Sequence, residues 1–430
     1  MKRRTLQLLL LAVLSSSSAM AQIKCDGTSA ASQKLVCEFP FATGLFANAT
    51  ALNSGSGQSN AQQVATSLNI AIATQVSQLP LASASAGTVV LFKAGAPVTY
   101  NNLGPILTDR AETVGKHKFF LGFTASQFVF TDIDGTPLSA LPFTYFRTAT
   151  TPPTPTNPGG TFVSNIYTTE TTNLRFRINQ FIGVATLGLT DRFDISVIVP
   201  SERISLGDTT SKITNYVVDA NNVNVLKYTT PDSYTPGTAS GVGDVTVNLK
   251  SEIWRGERAA LSAAGNVRIP TGDQLNLLGS GAWGINPYVV YSYLAKISPH
   301  AKIGYQWNTS TVLDNPTNEA GKNQRLPGGL QYNFGADWAV HKRITLAGDL
   351  LGNQYLNTPK LITVVRNIQG VGNLNTSDTQ NSSYSISNAS AGLKWNPAKA
   401  LVFSCNVLFQ LNNVGLRARP TPLVGISYKF

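Results

Sequence analysis

LVFSCNVLFQL, residues 401–411, and LVGISYKF, residues 423–430, decide the fold. In the first run Leu401, Phe403, Cys405, Val407, Phe409 and Leu411 alternate with Val402, Ser404, Asn406, Leu408 and Gln410. That period of two gives a strand with one apolar and one mostly polar face. In the second run Val424, Ile426, Tyr428 and Phe430 share a face opposite Gly425, Ser427 and Lys429. A strand running to the last residue needs a neighbour on both edges, and closing the sheet on its own first strand supplies both. The expected fold is therefore all-β: an antiparallel transmembrane β-barrel of about 12 strands.

Working outward, twelve strand candidates follow His117, near 117–131, 173–187, 192–201, 241–252, 258–269, 283–296, 299–310, 328–339, 343–354, 384–396, 400–411 and 421–430. Each approximates the roughly 9 to 11 residues that cross a bilayer at barrel tilt. Their connections alternate. Thr190-Asp191, Arg255 to Glu257, Lys296 to Pro299, His341-Lys342 and Asn396 to Lys399 are short, whereas 132–172, 202–240, 270–282, 311–327, 355–383 and 412–420 are longer. Short periplasmic turns and long outer loops give this parity. Thr150 to Gly160 and Asn373 to Ser383, rich in Thr, Asn, Ser, Pro or Gly, read as outer loops without regular structure of their own.

The amino terminus sets the compartment. Met1-Lys2-Arg3-Arg4, an apolar run from Leu6 to Leu14 and Ala19-Met20-Ala21 read as a signal peptide, residues 1–21. The expected location is the bacterial outer membrane. The net charge of +11 falls to +8 when Lys2, Arg3 and Arg4 are removed with the signal, which holds no acid. The remaining bases are dispersed and form no patch for nucleic acid. A mean hydropathy of +0.00 does not oppose a membrane barrel, because wall strands carry polar residues between their lipid-facing ones.

Residues 22–116 lack the barrel pattern. They are expected to form a plug or a periplasmic cap, the alternative being loose structure, with a helix near 59–79, a hairpin over Thr88 to Tyr100 and a connector over Asn101 to Gly115. Cys25 and Cys37 are expected to pair in a disulfide worth about 3 kcal/mol on the chain-entropy model. Cys405 is left over on an apolar strand face, and no C-x-x-C pair suggests zinc or redox chemistry.

With the more apolar face of each strand turned to lipid, the opposite face carries Arg175, Arg177, Asp194, Asp244, Lys250, Glu252, Arg268, Lys302, Asp337, Asp349, Lys394 and Lys429. A charge facing lipid near the midplane costs about 2 to 4 kcal/mol, so these residues are candidates for a polar lumen. Arg175, Arg177, Arg268 and Lys302 could form an inner surface for anionic solutes. Alternatively the lumenal ions pair across the barrel and contact the amino-terminal segment. Trp254, Trp338 and Trp395 fall at expected periplasmic strand ends and Trp283 and Trp307 towards outer ends; with Phe430 they read as interface aromatics.

Catalytic signals are thin. Gly279-Ser280-Gly281-Ala282-Trp283-Gly284 matches G-x-G-x-x-G, but a strand follows it where a dinucleotide site needs a helix. His117, His300 and His341 lie at expected periplasmic strand ends or turns, where water satisfies them. No catalytic residue, metal ligand or cofactor is expected, and the chain does not read as an enzyme.

GLTDRFDISVIVP at 188–200, GVGDVTVNLKSE at 241–252, VRIPTGD at 267–273 and PYVVYSYLAKISPHAKIGYQW at 287–307 resemble the outer-membrane barrels grouped as the MetA-pathway phenol-degradation family. The resemblance implies a barrel that passes aromatic or other small, sparingly soluble compounds, and it brings no catalytic residues. The long amino-terminal segment and the two long early loops depart from that group. The expected partners are outer-membrane lipid, a small-molecule solute and, through the final strand, the barrel-assembly machinery, with no nucleic acid. The expected function is a channel or transporter-like protein for uptake of such solutes. The competing expectation is a surface protein whose loops bind a partner, with the barrel as anchor.

Overall fold

The computed structural model of the chain describes residues 34–36, 69–76, 89–93, 96–100, 102–151, 162–218, 225–234, 237–311, 313, 325–398 and 400–430. The signal-peptide reading, the Cys25–Cys37 pairing and the flanks of the helix expected over 59–79 lie outside these residues.

Twelve antiparallel wall strands close on themselves. They are β1 (Phe119–Ile133), β2 (Phe162–Gly188), β3 (Phe193–Val218), β4 (Thr238–Val242 continued by Val245–Arg255), β5 (Ala259–Ile269) and β6 (Gly284–Tyr293). Then come β7 (Ile297–Asn308), β8 (Gly329–His341), β9 (Ile344–Ile368), β10 (Gly372–Ala398), β11 (Leu401–Gln410) and β12 (Leu416–Ala418 continued by Thr421–Lys429). Each pairs with its sequence neighbours. The seam joins β12 to β1, from Leu423 opposite Ser126 to Lys429 opposite Phe120. Beyond it the Phe430 amide donates to the Phe119 carbonyl at 2.8 Å, and the two rings lie 5.7 Å apart.

The alternation in the terminal strands sorts as the sequence suggests. Val402, Asn406 and Leu408 are buried, while Phe403, Cys405, Phe409, Val424, Ile426 and Tyr428 are exposed on the outer surface. All five tryptophans also face outward: Trp254, Trp338 and Trp395 near the ends joined by tight turns, and Trp283 and Trp307 near the opposite ends.

The outer hairpins depart from the loop reading within the described residues; 152–160, most of the run Thr150 to Gly160, lies outside them. β2, β3, β9 and β10 run for 27, 26, 25 and 27 residues, well beyond the bilayer requirement. Most of 355–383 is therefore a ladder, from Thr358 opposite Ser382 to Ile368 opposite Gly372. The reason is the partner strand. Leu361, Ile362, Thr363, Val364 and Val365 are strand formers, and they supply the hydrogen bonds that the Asn, Ser and Thr run opposite cannot make for itself. In the same way Leu141–Thr151 pairs with the outer part of β2, and Val225–Tyr234 with the outer part of β3. The Thr144 amide donates to Thr376 Oγ1 at 2.9 Å, tying the first outer extension to β10.

Residues 69–76, the described part of the helix expected over 59–79, are helical, and Val89–Lys93 pairs with Ala96–Tyr100 as the expected hairpin. Ile70, Ile72, Ala73 and Val76 of the helix pack with Leu35, Val36, Phe128, Phe130, Phe176, Leu206, Leu351 and Leu416 in one buried apolar cluster. Hydrocarbon thus lines much of the outer half of the lumen.

Candidate functional site

The site is the barrel interior, and it has two levels. At the periplasmic level residues 102–115, read from sequence as a connector, cross the lumen and bond to the wall in succession. Asn102 Nδ2 donates to the Asp337 carbonyl at 3.2 Å and the Leu103 amide to Thr345 Oγ1 at 3.1 Å. Lys394 Nζ donates to the carbonyls of Leu103 and Pro105 at 3.2 and 2.5 Å. Lys250 Nζ then reaches the carbonyls of Arg110 and Glu112, both at 3.1 Å, and Asp109 Oδ1 at 3.4 Å. The Ala111 amide donates to Ser292 Oγ, its carbonyl accepts from Ser262 Oγ, and the Val114 amide donates to Asp194 Oδ2 at 2.8 Å. An irregular backbone buried in a barrel needs such partners, since every unpaired peptide group costs free energy. The lumenal charges therefore hold a polypeptide segment in place.

His300 belongs to this level. It is 5% exposed, because the alternation of β7 turns Ser298, His300 and Lys302 inward. Its Nε2 lies 2.9 Å from Asp349 Oδ1 and 2.6 Å from Thr108 Oγ1, and its Nδ1 lies 3.5 Å from Asp337 Oδ2. A Cβ at Gly335 would stand 2.4 Å from His300 Nε2 and 2.3 Å from Asp349 Oδ1, so glycine there leaves the room this cluster occupies. Hydration at a strand end, the expectation for this histidine, is replaced by two carboxylates and a threonine. The strand starts at Ile297, earlier than 299, and that shift puts His300 inside the wall.

At the outer level the walls and the helix border a partly open cavity of ≈ 80 Å³. Phe128, Phe130, Leu351, Tyr355, Ile386, Leu408 and Leu416 supply its apolar lining, and Gln75, Asn353, Asn388, Gln410 and Arg417 supply polar groups. Phe130 stacks on Phe176 with ring centroids 4.9 Å apart. Arg417 Nη2 donates to the Ser387 carbonyl and Asn388 Oδ1, both at 2.9 Å, which fixes the guanidinium at the cavity wall.

Asp194, Asp244, Lys250, Arg268, Asp337, Asp349 and Lys394 are buried within the barrel, and Lys302 points inward with its ammonium 3.9 Å from the Tyr288 ring centroid. Arg175 and Arg177 do not join them: both are exposed on the outer surface. The expectation failed because the more apolar face of β2 at this height, Leu174, Phe176 and Ile178, packs into the apolar lumen. The phase of the strand was legible nearer the periplasm, where exposed Phe181 and Leu187 share the arginines' face. The inner basic surface expected for anionic solutes is not assembled. Arg268 lies 3.6 Å from Asp244 Oδ2 and bonds Asn308 at 2.8 Å, and Lys302 covers an aromatic ring. Asp244 also accepts from the Ser280 amide and hydroxyl at 2.8 and 2.6 Å, holding the Gly-rich turn inside the outer mouth. Among the described residues no group of three or more His, Cys, Asp and Glu side chains is arranged to hold a metal ion.

Similar solved structures include an outer membrane channel from Pseudomonas putida F1, 15% identical over 74% of this chain and 98% of that one, with a TM-score of 0.39. A FadL homologue of Pseudomonas aeruginosa is 10% identical over 73% of this chain and 89% of that one, with a TM-score of 0.28. The TodX monoaromatic hydrocarbon channel, as a deletion mutant, is 10% identical over 75% and 92%, with a TM-score of 0.28. No curated protein matches the chain. The family model described as "Putative MetA-pathway of phenol degradation" matches residues 154–415, more than half of this outer-membrane barrel, and the chain belongs to that family.

Proposed function

We propose that the protein is an outer-membrane channel for small, sparingly soluble aromatic solutes, closed at its periplasmic level by residues 102–115 in the state described. The observation that carries this reading is the vertical division of the lumen. An aromatic-lined cavity with a few fixed polar groups sits above a polar seal made by the chain itself. An apolar pocket with sparse, placed polar groups suits a ring bearing one hydroxyl better than a sugar or an inorganic ion. The family description, phenol degradation, agrees in chemical class. Passage to the periplasm then requires the segment to leave its wall contacts, which a solute achieves only by binding the displaced state more tightly.

Proteoliposome uptake tests the proposal, with phenol, glucose and phosphate as solutes and the full chain beside a variant lacking residues 23–116. Phenol uptake above protein-free vesicles, exceeding that of glucose, and less selective flux in the deletion variant support it. A barrel that folds yet passes none of the solutes in either form contradicts it and favours an anchor whose long outer hairpins bind a partner.

A further inference from the structure

The outer surface carries a basic cluster that the channel reading does not use. Arg175, Arg177 and Arg203 are all exposed on the outside of β2 and β3. In the ladder Arg177 stands opposite Ser205, Arg175 opposite Gly207 and Arg203 opposite Asn179. With about 3.3 Å per residue and 4.8 Å between strands, Arg177 has both other arginines about 7 to 8 Å away at the Cα level. A Cβ at Gly207 would lie 2.8 Å from Arg175 Cβ and 3.4 Å from its Cδ, so the glycine admits the Arg175 side chain over β3, the strand that carries Arg203 four residues away. Among the described residues none of the three makes an ion pair.

Their height decides the partner. Towards the periplasm the same face is apolar, with Phe181 and Leu187 on β2 and Val197 and Val199 on β3 exposed. Outward of Phe181 and Val199 it turns polar with Asn179 and Ser201. Counting from the periplasmic ends of β2 and β3, with the strands tilted about 40°, the three arginines stand roughly 25 to 33 Å up, at and just beyond an apolar band about 25 Å tall. An arginine within the band is strongly disfavoured, so the cluster belongs at the outer interface, where the polar heads of the outer-leaflet lipids lie.

We propose that Arg175, Arg177 and Arg203 bind the phosphorylated headgroup of an outer-leaflet glycolipid. Guanidinium groups bind phosphate oxygens in bidentate fashion, and three without carboxylate partners match a headgroup carrying more than one phosphate. Ser201, Ser205 and Ser240 lie on the same face and add hydroxyl donors.

Native mass spectrometry of the full chain in detergent tests this, with a bisphosphorylated lipid A as probe beside the same lipid stripped of its phosphates. The wild type retains the phosphorylated lipid, and Arg175→Gln/Arg177→Gln/Arg203→Gln retains it at least about tenfold less, since each base near an anionic surface is worth about 1 kcal/mol. Heat-modifiable gel mobility reports whether the triple variant folds; if it does not, Arg177→Gln alone is expected to lose about fivefold. Equal retention by folded variant and wild type, or equal retention of both lipids, overturns the proposal. Displacement of the lipid by millimolar inorganic phosphate also overturns it, because the site would then take the free anion.

Discussion

Replacing Lys250 with methionine should loosen the inner segment without disturbing the wall. The ammonium donates to the carbonyls of Arg110 and Glu112 and approaches Asp109, and its side chain is 4% exposed. Hydrogen bonds from a charged donor contribute about 1.5 to 3 kcal/mol each, and a carbonyl left buried and unpaired forfeits a similar amount. Relief of the ammonium's own burial offsets part of that loss, leaving about 2 to 3 kcal/mol against the seated segment. At about 1.4 kcal/mol per tenfold, the displaced population rises about 30- to 140-fold. The assay is the rate at which a water-soluble maleimide labels Ala111→Cys, a position 0% exposed, read by peptide mass spectrometry in the Lys250→Met and wild-type backgrounds. When reclosing outpaces labelling the rate is proportional to the displaced population. Lys302→Met, which removes an inward ammonium from the Tyr288 face, serves as the control and should change the rate by less than about threefold. A Lys250→Met rate within threefold of wild type would refute the idea that this lysine holds the segment.

Leu350, outward-facing and 52% exposed near the middle of the expected bilayer crossing of β9, should cost about 2 to 4 kcal/mol as Leu350→Arg, measured by reversible unfolding in lipid; a neutral result would remove β9 from the hydrocarbon. Cys405, exposed on the same outer surface, should react with a membrane-soluble thiol reagent and resist an impermeant one in whole cells. Ile386→Trp should fill the aromatic-lined cavity and lower phenol flux severalfold, while unchanged flux would place the pathway elsewhere. Burial alone would raise the Asp273 carboxyl, but Lys34 at 2.9 Å, Asn276 and the Leu275 amide hold it below the usual range. Its contribution to seating residues 34–36 is therefore fully present above the ordinary carboxylate pKa of about 3.9 and is lost as pH falls through the lower folded value. Hydrogen exchange at Leu35 should rise over that acid window, and Asp273→Asn should abolish the pH dependence.

The architecture could be read from the chain because a barrel writes itself twice. The period of two in runs such as Leu401 to Leu411 gives the walls, and the parity of short and long links gives the topology. Strand phase was recoverable wherever one side met lipid and the other met charge, as at Asp194, Lys250, Asp349 and Lys394. It was lost at Arg175 and Arg177, where an apolar lumen takes the more apolar side of β2 inward and inverts a rule that sends hydrocarbon to lipid. The inner segment was harder still. Asn102 to Val114 has no periodicity, because its conformation is set by wall side chains about 80 to 290 positions away in sequence, such as Asp194, Lys250, Asp349 and Lys394. His300 was hidden by a two-residue shift in strand start, which decides between a turn facing water and a buried contact with Asp349.

The seam between the first and last walls tests the closed barrel most directly. Gly122 stands opposite Ser427, and a Cβ at Gly122 would lie 3.7 Å from Ser427 Cβ, within the usual Cβ separation of a disulfide. Gly122→Cys with Ser427→Cys, oxidised in native outer membranes, should cross-link within one chain, detected by mass and by reductant-sensitive gel mobility. A pair that stays reduced in a folded, membrane-inserted protein would mean the cylinder is not closed there.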